Sequence, residues 1–159
     1  MKNLILILVL MNTLGCSEGD DDASDQYNFD VGLRFTVVND DGENLLDPDN
    51  PEHFSKDTIK LFYLINGEKQ EVYDGNLDSP RNYKIFEVEN EYVIGITPNY
   101  SETEETPITY IQWDENDTDT LEVSYERKRN AVIQTKIWLN GEQIWERYTN
   151  EDPYFTLVK

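Results

Sequence analysis

Hydrophobic and polar residues alternate with a period of two along most of this chain. In Val31-Gly32-Leu33-Arg34-Phe35-Thr36-Val37 the apolar positions are 31, 33, 35 and 37, and the turn group Asn39-Asp40-Asp41-Gly42 ends the run. From Phe29 onward no long segment places apolar residues at i, i+3, i+4 and i+7, so the pattern is that of half-buried strands and not of helices. Further strands are expected at Thr58 to Ile65, Glu68 to Tyr73, Tyr83 to Glu89, Tyr92 to Thr97, Ile108 to Trp113, Leu121 to Arg127, Val132 to Leu139, Gln143 to Tyr148 and Tyr154 to Val158. Alanine occurs only at 23 and 131, which also disfavours helix. The reading is all-β: an antiparallel β-sandwich, immunoglobulin-like or related, of about 8–10 strands.

Two Asn-Gly pairs sit between strands and signal tight hairpins. In the first, around Asn66-Gly67, Phe62, Leu64 and Tyr73 lie opposite to Leu61 and Val72, so both faces carry apolar residues. In the second, a two-residue turn at Asn140-Gly141 would set Leu139 against Glu142, Ile137 against Ile144 and Lys136 against Trp145. Cross-strand partners share a face. One face then holds Ile133, Thr135, Ile137, Leu139, Ile144 and Tyr148, the natural core side, and the other Gln134, Lys136, Trp138, Gln143, Trp145 and Arg147. Trp138 and Trp145 become diagonal neighbours among polar and cationic groups. Such a platform suits stacking on a sugar ring or anchoring a protein partner. In the plainer reading the indoles are covered structural residues, with Lys136 and Arg147 over them in cation–π contact.

Three connections interrupt the alternation. Leu46 to His53 carries two prolines and cannot be a strand interior; Pro98 to Pro107 is polar and reads as flexible; Asp114 to Asp119 is an acidic loop between two strands.

The first residues follow a different rule. Lys2 precedes an unbroken apolar run, Leu4 to Met11, and Asn12-Thr13-Leu14-Gly15-Cys16 follows. The run is too short for a helix to cross a membrane, which takes about 20 residues, and reads as a signal-peptide core. With the chain's only cysteine behind Leu14-Gly15, it resembles a bacterial lipoprotein signal peptide, although Thr13 stands where that motif usually has an aliphatic residue. The resemblance implies removal of residues 1–15 and lipidation of Cys16 by several acyl chains, enough for stable anchoring. Ser17 to Gln26 is acidic and nearly devoid of apolar residues, the composition of a tether. It resembles the acidic signal by which members of the Bacteroidota send lipoproteins to the outside of the outer membrane. The organisation expected is signal peptide 1–15, lipidated cysteine and tether 16–27, and one domain 28–159.

Charge narrows the partners. The 13 Lys and Arg face 33 Asp and Glu, a net charge of −20, which repels nucleic acid. One cysteine and one histidine leave no internal disulfide, thiolate zinc cluster or His-based metal triad. No nucleophile elbow, phosphate loop, dinucleotide glycine pattern or H-E-x-x-H occurs, and His53 in its Pro-rich loop reads as a surface residue. Acidic pairs abound by number alone, and sequence spacing cannot give the separation that a glycosidase needs. Asp114, Asn116, Asp117 and Asp119 resemble the first half of a calcium loop but lack the central glycine and closing glutamate. No cofactor is expected, and the acidic turn is read as free of metal.

Asp57-Thr58-Ile59 and Asp119-Thr120-Leu121 match the Asp-Ser/Thr-aliphatic pattern that Bacteroidota use for O-glycosylation, making Thr58 and Thr120 candidate acceptors at expected strand starts. With Asp41-Gly42-Glu43-Asn44-Leu45-Leu46-Asp47-Pro48 and Asp117-Thr118-Asp119-Thr120-Leu121, the body resembles small uncharacterised surface lipoproteins of Bacteroides and relatives, a family that implies no known activity. The function expected is a non-catalytic, lipid-anchored module of the outer-membrane surface with a glycan or protein partner. The alternative is a structural subunit of a surface assembly, which would cover the indoles and expose an apolar face at Phe62, Leu64 and Tyr73. A carboxylate-dependent glycosidase ranks below both.

Overall fold

A computed structural model describes residues 27–149 and 153–159. Eleven strands form, and no helix occurs among the described residues: β1 Asn28–Asp30, β2 Leu33–Val38, β3 Lys60–Ile65, β4 Glu68–Glu71, β5 Tyr83–Val88, β6 Glu91–Ile96, β7 Ile108–Gln112, β8 Thr118–Lys128, β9 Ala131–Leu139, β10 Glu142–Glu146 and β11 Tyr154–Val158. The sequence reading thus located ten of them, β4 through its Asn66-Gly67 turn, and missed β1, whose three residues offer one apolar side chain. Cys16, the signal peptide and the acidic tether up to Gln26 lie outside the described residues.

The strands make two sheets packed face to face. The seven-stranded sheet runs β1-β9-β8-β7-β3-β4, with β10 also on β9, and the four-stranded sheet runs β11-β2-β6-β5. Both are mixed and not purely antiparallel, because β1 runs parallel to β9 and β11 parallel to β2. Strands β1 and β10 share one edge of β9 end to end, β1 on residues 131–133 and β10 on 136–139. Arg147 fills the gap between them: its N–H donates to the Thr135 carbonyl, its Nε–H to the Gln134 carbonyl at 2.7 Å, and its guanidinium pairs with Asp30.

The core lies between the sheets. Leu33, Phe35 and Val37 of β2 face Ile59 just ahead of β3, Leu61 of β3, Ile111 of β7, Leu121 and Val123 of β8 and Ile137 of β9, all essentially without solvent exposure. Trp113 sits among the rings, edge-on to Phe35 at 6.2 Å and 5.2 Å from Phe54, and Phe35 stacks on Phe155 of β11 at 4.6 Å. Tyr63 donates to the Thr97 carbonyl at 2.7 Å, reaching from β3 to the end of β6. The segment after β6 is tied down, in contrast to its polar composition: Asn99 is buried, donates to Leu64 and Ile108 carbonyls, and its carbonyl accepts from Tyr125, while Arg127 holds the Tyr100 and Ser101 carbonyls.

Burial pushes the Tyr63 hydroxyl up to about 12, and burial raises Tyr125 as well. A tyrosine raised in the folded state contributes stability fully below its unfolded value near 10, and the contribution is lost as pH rises through the folded value. Phenolate absorbance in alkaline titration should therefore leave at least Tyr63 and Tyr125 un-ionised above pH 10 until the fold opens. The urea midpoint should fall between about pH 10 and 12.

Candidate functional site

The pairing of β9 is irregular on both sides, with β10 in the second hairpin and with β8. Leu139 faces Glu142 and Trp138 faces Gln143, as an Asn140-Gly141 turn requires, and Asn140 and Gly141 both have positive φ. Past Gln143 the register slips, so that Trp145 pairs with Ile137 and Glu146 with Lys136. Ile144 is the extra residue of a bulge. A bulge sets two residues against one and breaks the alternation. Trp145 is therefore turned to the core and is buried, whereas Trp138 stays half-buried on the outer face of the seven-stranded sheet. A second slip, between Ser124 and Tyr125, leaves Thr135 as the extra residue of β9 and turns Gln134 inward to a buried position, where its amide donates to the Gly32 carbonyl at 3.1 Å.

The two indoles consequently form no shared platform. Tyr148, expected on the core face, is 89% exposed beyond the end of β10. The polar residues expected around the indoles are already engaged. Lys136 pairs with Glu146 at 3.1 Å, Gln143 donates to the same carboxylate at 3.2 Å, and these two hydrogen bonds hold Glu146 below its ordinary value. Arg147, besides its edge contacts, lies over the Trp145 ring at 5.8 Å, as the structural reading of that indole anticipates.

The acidic turn is organised around a lysine. Asp114 accepts the N–H groups of Asn116 and Asp117, while Asp119 lies within β8 and is buried. Lys159 Nζ stands 2.7 Å from Asp117 and 2.6 Å from Asp119, so an ammonium occupies the place a cation would take between them. Among the described residues no group of three or more acidic, histidine or cysteine side chains could hold a metal ion. Thr58 is exposed ahead of β3, with its hydroxyl on the Ser55 and Trp113 carbonyls, and Thr120 is half-buried inside β8 on the outer face, so neither begins a strand.

A different place has the shape of a site. On the outer face of the four-stranded sheet, a groove of about 430 Å³ is lined by Phe29, Arg34, Lys84, Phe86 and Gly95, and also by Asp30, Ser79 and Asn82. Register explains it. Arg34 of β2 and Lys84 of β5 are both cross-strand partners of Gly95 in β6, so all three share the outward face. The next outward residue of β5, Phe86, lays its ring across the glycine: a Cβ at 95 would stand 3.0 Å from a ring carbon. A glycine inside a strand often marks such a close approach, and Val93-Ile94-Gly95-Ile96 was the sequence signal available for it. Phe86 is 37% exposed and Phe29 50% exposed. Asp30, the only carboxylate lining the groove among the described residues, is held by Arg147.

Compared with protein families, with curated proteins and with solved structures, the chain finds no match.

Proposed function

We propose that this protein is a non-catalytic, lipid-anchored module of the cell envelope, facing outward from the outer membrane, that binds a glycan or protein partner at the groove on its four-stranded sheet. The observation that carries the binding part is the Phe86 ring against Gly95, kept in contact with water in a groove that the exposed Phe29 also lines. Concave surface with exposed aromatics and a few convergent polar groups is the usual make-up of a binding site. The anchoring part rests on the Leu14-Gly15-Cys16 resemblance and the acidic tether. The non-catalytic part is supported by Asp30, the groove's single carboxylate among the described residues, being committed to Arg147, which leaves no pair of acids there for hydrolysis.

One experiment addresses the binding. Lipid-free protein from residue 17 onward, applied to an array of immobilised glycans and envelope extracts, is expected to give signals that Phe86→Ala abolishes and Trp138→Ala leaves in place. Signals indifferent to Phe86 would remove the groove from the reading. For the anchor, a palmitate analogue should label the wild type and not Cys16→Ala.

A second reading has its own support. The outer face of the seven-stranded sheet carries Phe62, Leu64, Ile108, Tyr110 and Trp138, all half-buried and brought side by side by the register of β3, β7, β8 and β9. That apolar stripe suits a structural subunit packed against a neighbour. Tyr73, grouped with it in the sequence, lies beyond β4 and is 67% exposed.

A further inference from the structure

The groove's charges narrow its ligand. We infer that it takes an anionic sugar, one bearing a carboxylate or a sulfate ester, with the sugar ring on Phe86 and the anionic groups on Arg34 and Lys84; this rests on the groove being the binding site proposed above.

The described cations divide into those that hold a carboxylate and those that do not, and Lys56, Lys69, Arg81 and Arg127 belong with the second group. Lys60, Lys128, Lys136, Arg147 and Lys159 each hold one. Arg34 and Lys84 hold none among the described residues, although they flank one glycine on one exposed face. Their backbones stand two strand spacings apart, about 9–10 Å. An arginine presents a planar fork to a carboxylate or sulfate, and a lysine a compact charge on a flexible stem. Between them the Phe86 ring offers its electron-rich face, which favours the partly positive C–H groups of a sugar ring. Ser79 lines the same groove and adds a hydroxyl suited to sugar oxygens.

Net charge sets the ligand's length. A body of −20 repels a long polyanion. Its field is screened over about 8 Å at physiological ionic strength, so a short acidic oligosaccharide chiefly feels the two nearby cations. A bare anion would use the cations and ignore the ring, and an acidic peptide would bring no flat C–H face to it.

The test is an NMR titration of ¹⁵N-labelled, lipid-free protein, with the Gly95 amide as reporter. The probes are trigalacturonate, its methyl ester, a sulfated galactose trimer and triglutamate. Expected is a Gly95 shift that saturates with trigalacturonate, with the sulfated trimer, or with both, separating the two sources of charge, while the ester binds at least about tenfold more weakly. Arg34→Gln and Lys84→Gln should each weaken the acidic sugar by about tenfold, the loss of one charge-assisted hydrogen bond. Phe86→Ala should weaken the acidic sugar and not inorganic sulfate, which is titrated beside the four probes. Equal binding of acid and ester at Gly95 would overturn the inference and leave the groove a glycan site. Triglutamate binding as tightly as the acidic sugar would overturn it in favour of a peptide site. No shift with any probe would overturn it too, and a silent array as well would take the proposed function with it. Unchanged spectra away from the groove establish that the variants are folded.

Discussion

Replacing Lys159 by methionine is expected to lower the unfolding free energy by about 3 kcal/mol, the cost of leaving a buried charge without its partner. The side chains of Asp119 and Lys159 are 6% and 14% exposed, and the carboxylate also accepts the Trp113 indole N–H at 2.7 Å and the Asn140 amide at 2.8 Å. Burial alone pushes Asp119 up. The hydrogen bonds from Asn140, Lys159 and Trp113, with the charge of Lys159, outweigh that and leave it below its ordinary value. A lowered carboxylate contributes stability fully above its unfolded value, about 3.9, and the contribution is lost as pH falls through the folded value. The wild type should therefore lose its advantage over Lys159→Met below about pH 4 in urea unfolding curves. Adding Asp119→Asn to Lys159→Met should recover part of the loss, since no charge is stranded and the amide oxygen still accepts from Trp113, while its NH2 is set against the Asn140 amide donor. A variant as stable as wild type at pH 7 would show that the ammonium contributes nothing there.

The two tryptophans of the second hairpin should separate just as sharply. Trp145→Ala removes a buried indole from the core and is expected to cost about 3–5 kcal/mol. Trp138→Ala, on the half-exposed outer face, should cost about 1 kcal/mol. In emission spectra of Trp138→Phe, the remaining indoles at 113 and 145 should be blue-shifted and resist iodide. Trp145→Phe should keep a quenchable component from Trp138. Equal costs, or quenching that survives in Trp138→Phe, would contradict the bulge at Ile144.

That bulge marks the boundary of what a single sequence discloses here. Alternation of apolar and polar residues is a local signal, and it located most of β2 to β11 because they bury one side of a short strand, whereas the fully exposed β4 was reached through the Asn66-Gly67 turn. It carries no record of partner or direction. The parallel pairing of β11 with β2 and of β1 with β9 joins distant segments, so an antiparallel arrangement was the natural expectation and was incorrect in those two places. Register slips escape for the same reason. Ile144-Trp145 reads as one residue inward and one outward until the partner strand shows that Ile137 faces Trp145 and not Ile144. The groove was dispersed in the same way, with Arg34, Lys84 and Gly95 on three strands and only the mid-strand glycine hinting at a close approach. The acidic turn misled by composition: Asp119 reads as a loop carboxylate, yet it belongs to β8 and is buried against a lysine forty residues on.

The shared edge of β9 and the placement of β11 also govern how the chain reaches this state. Arg147 meets Asp30 across 117 residues of sequence, and Gln134 meets Gly32 across 102. Contacts of such separation must wait for large loops to close, which puts the fold among those of high contact order, with folding in milliseconds to seconds. During synthesis β2 emerges early with one edge bare, and its parallel partner is made after every other strand. An uncovered edge is a template for pairing with another chain. A chain stopped before Tyr154 would thus hold most of its strands and still lack the one that covers β2, so that this edge stays bare until residues 154–158 are made.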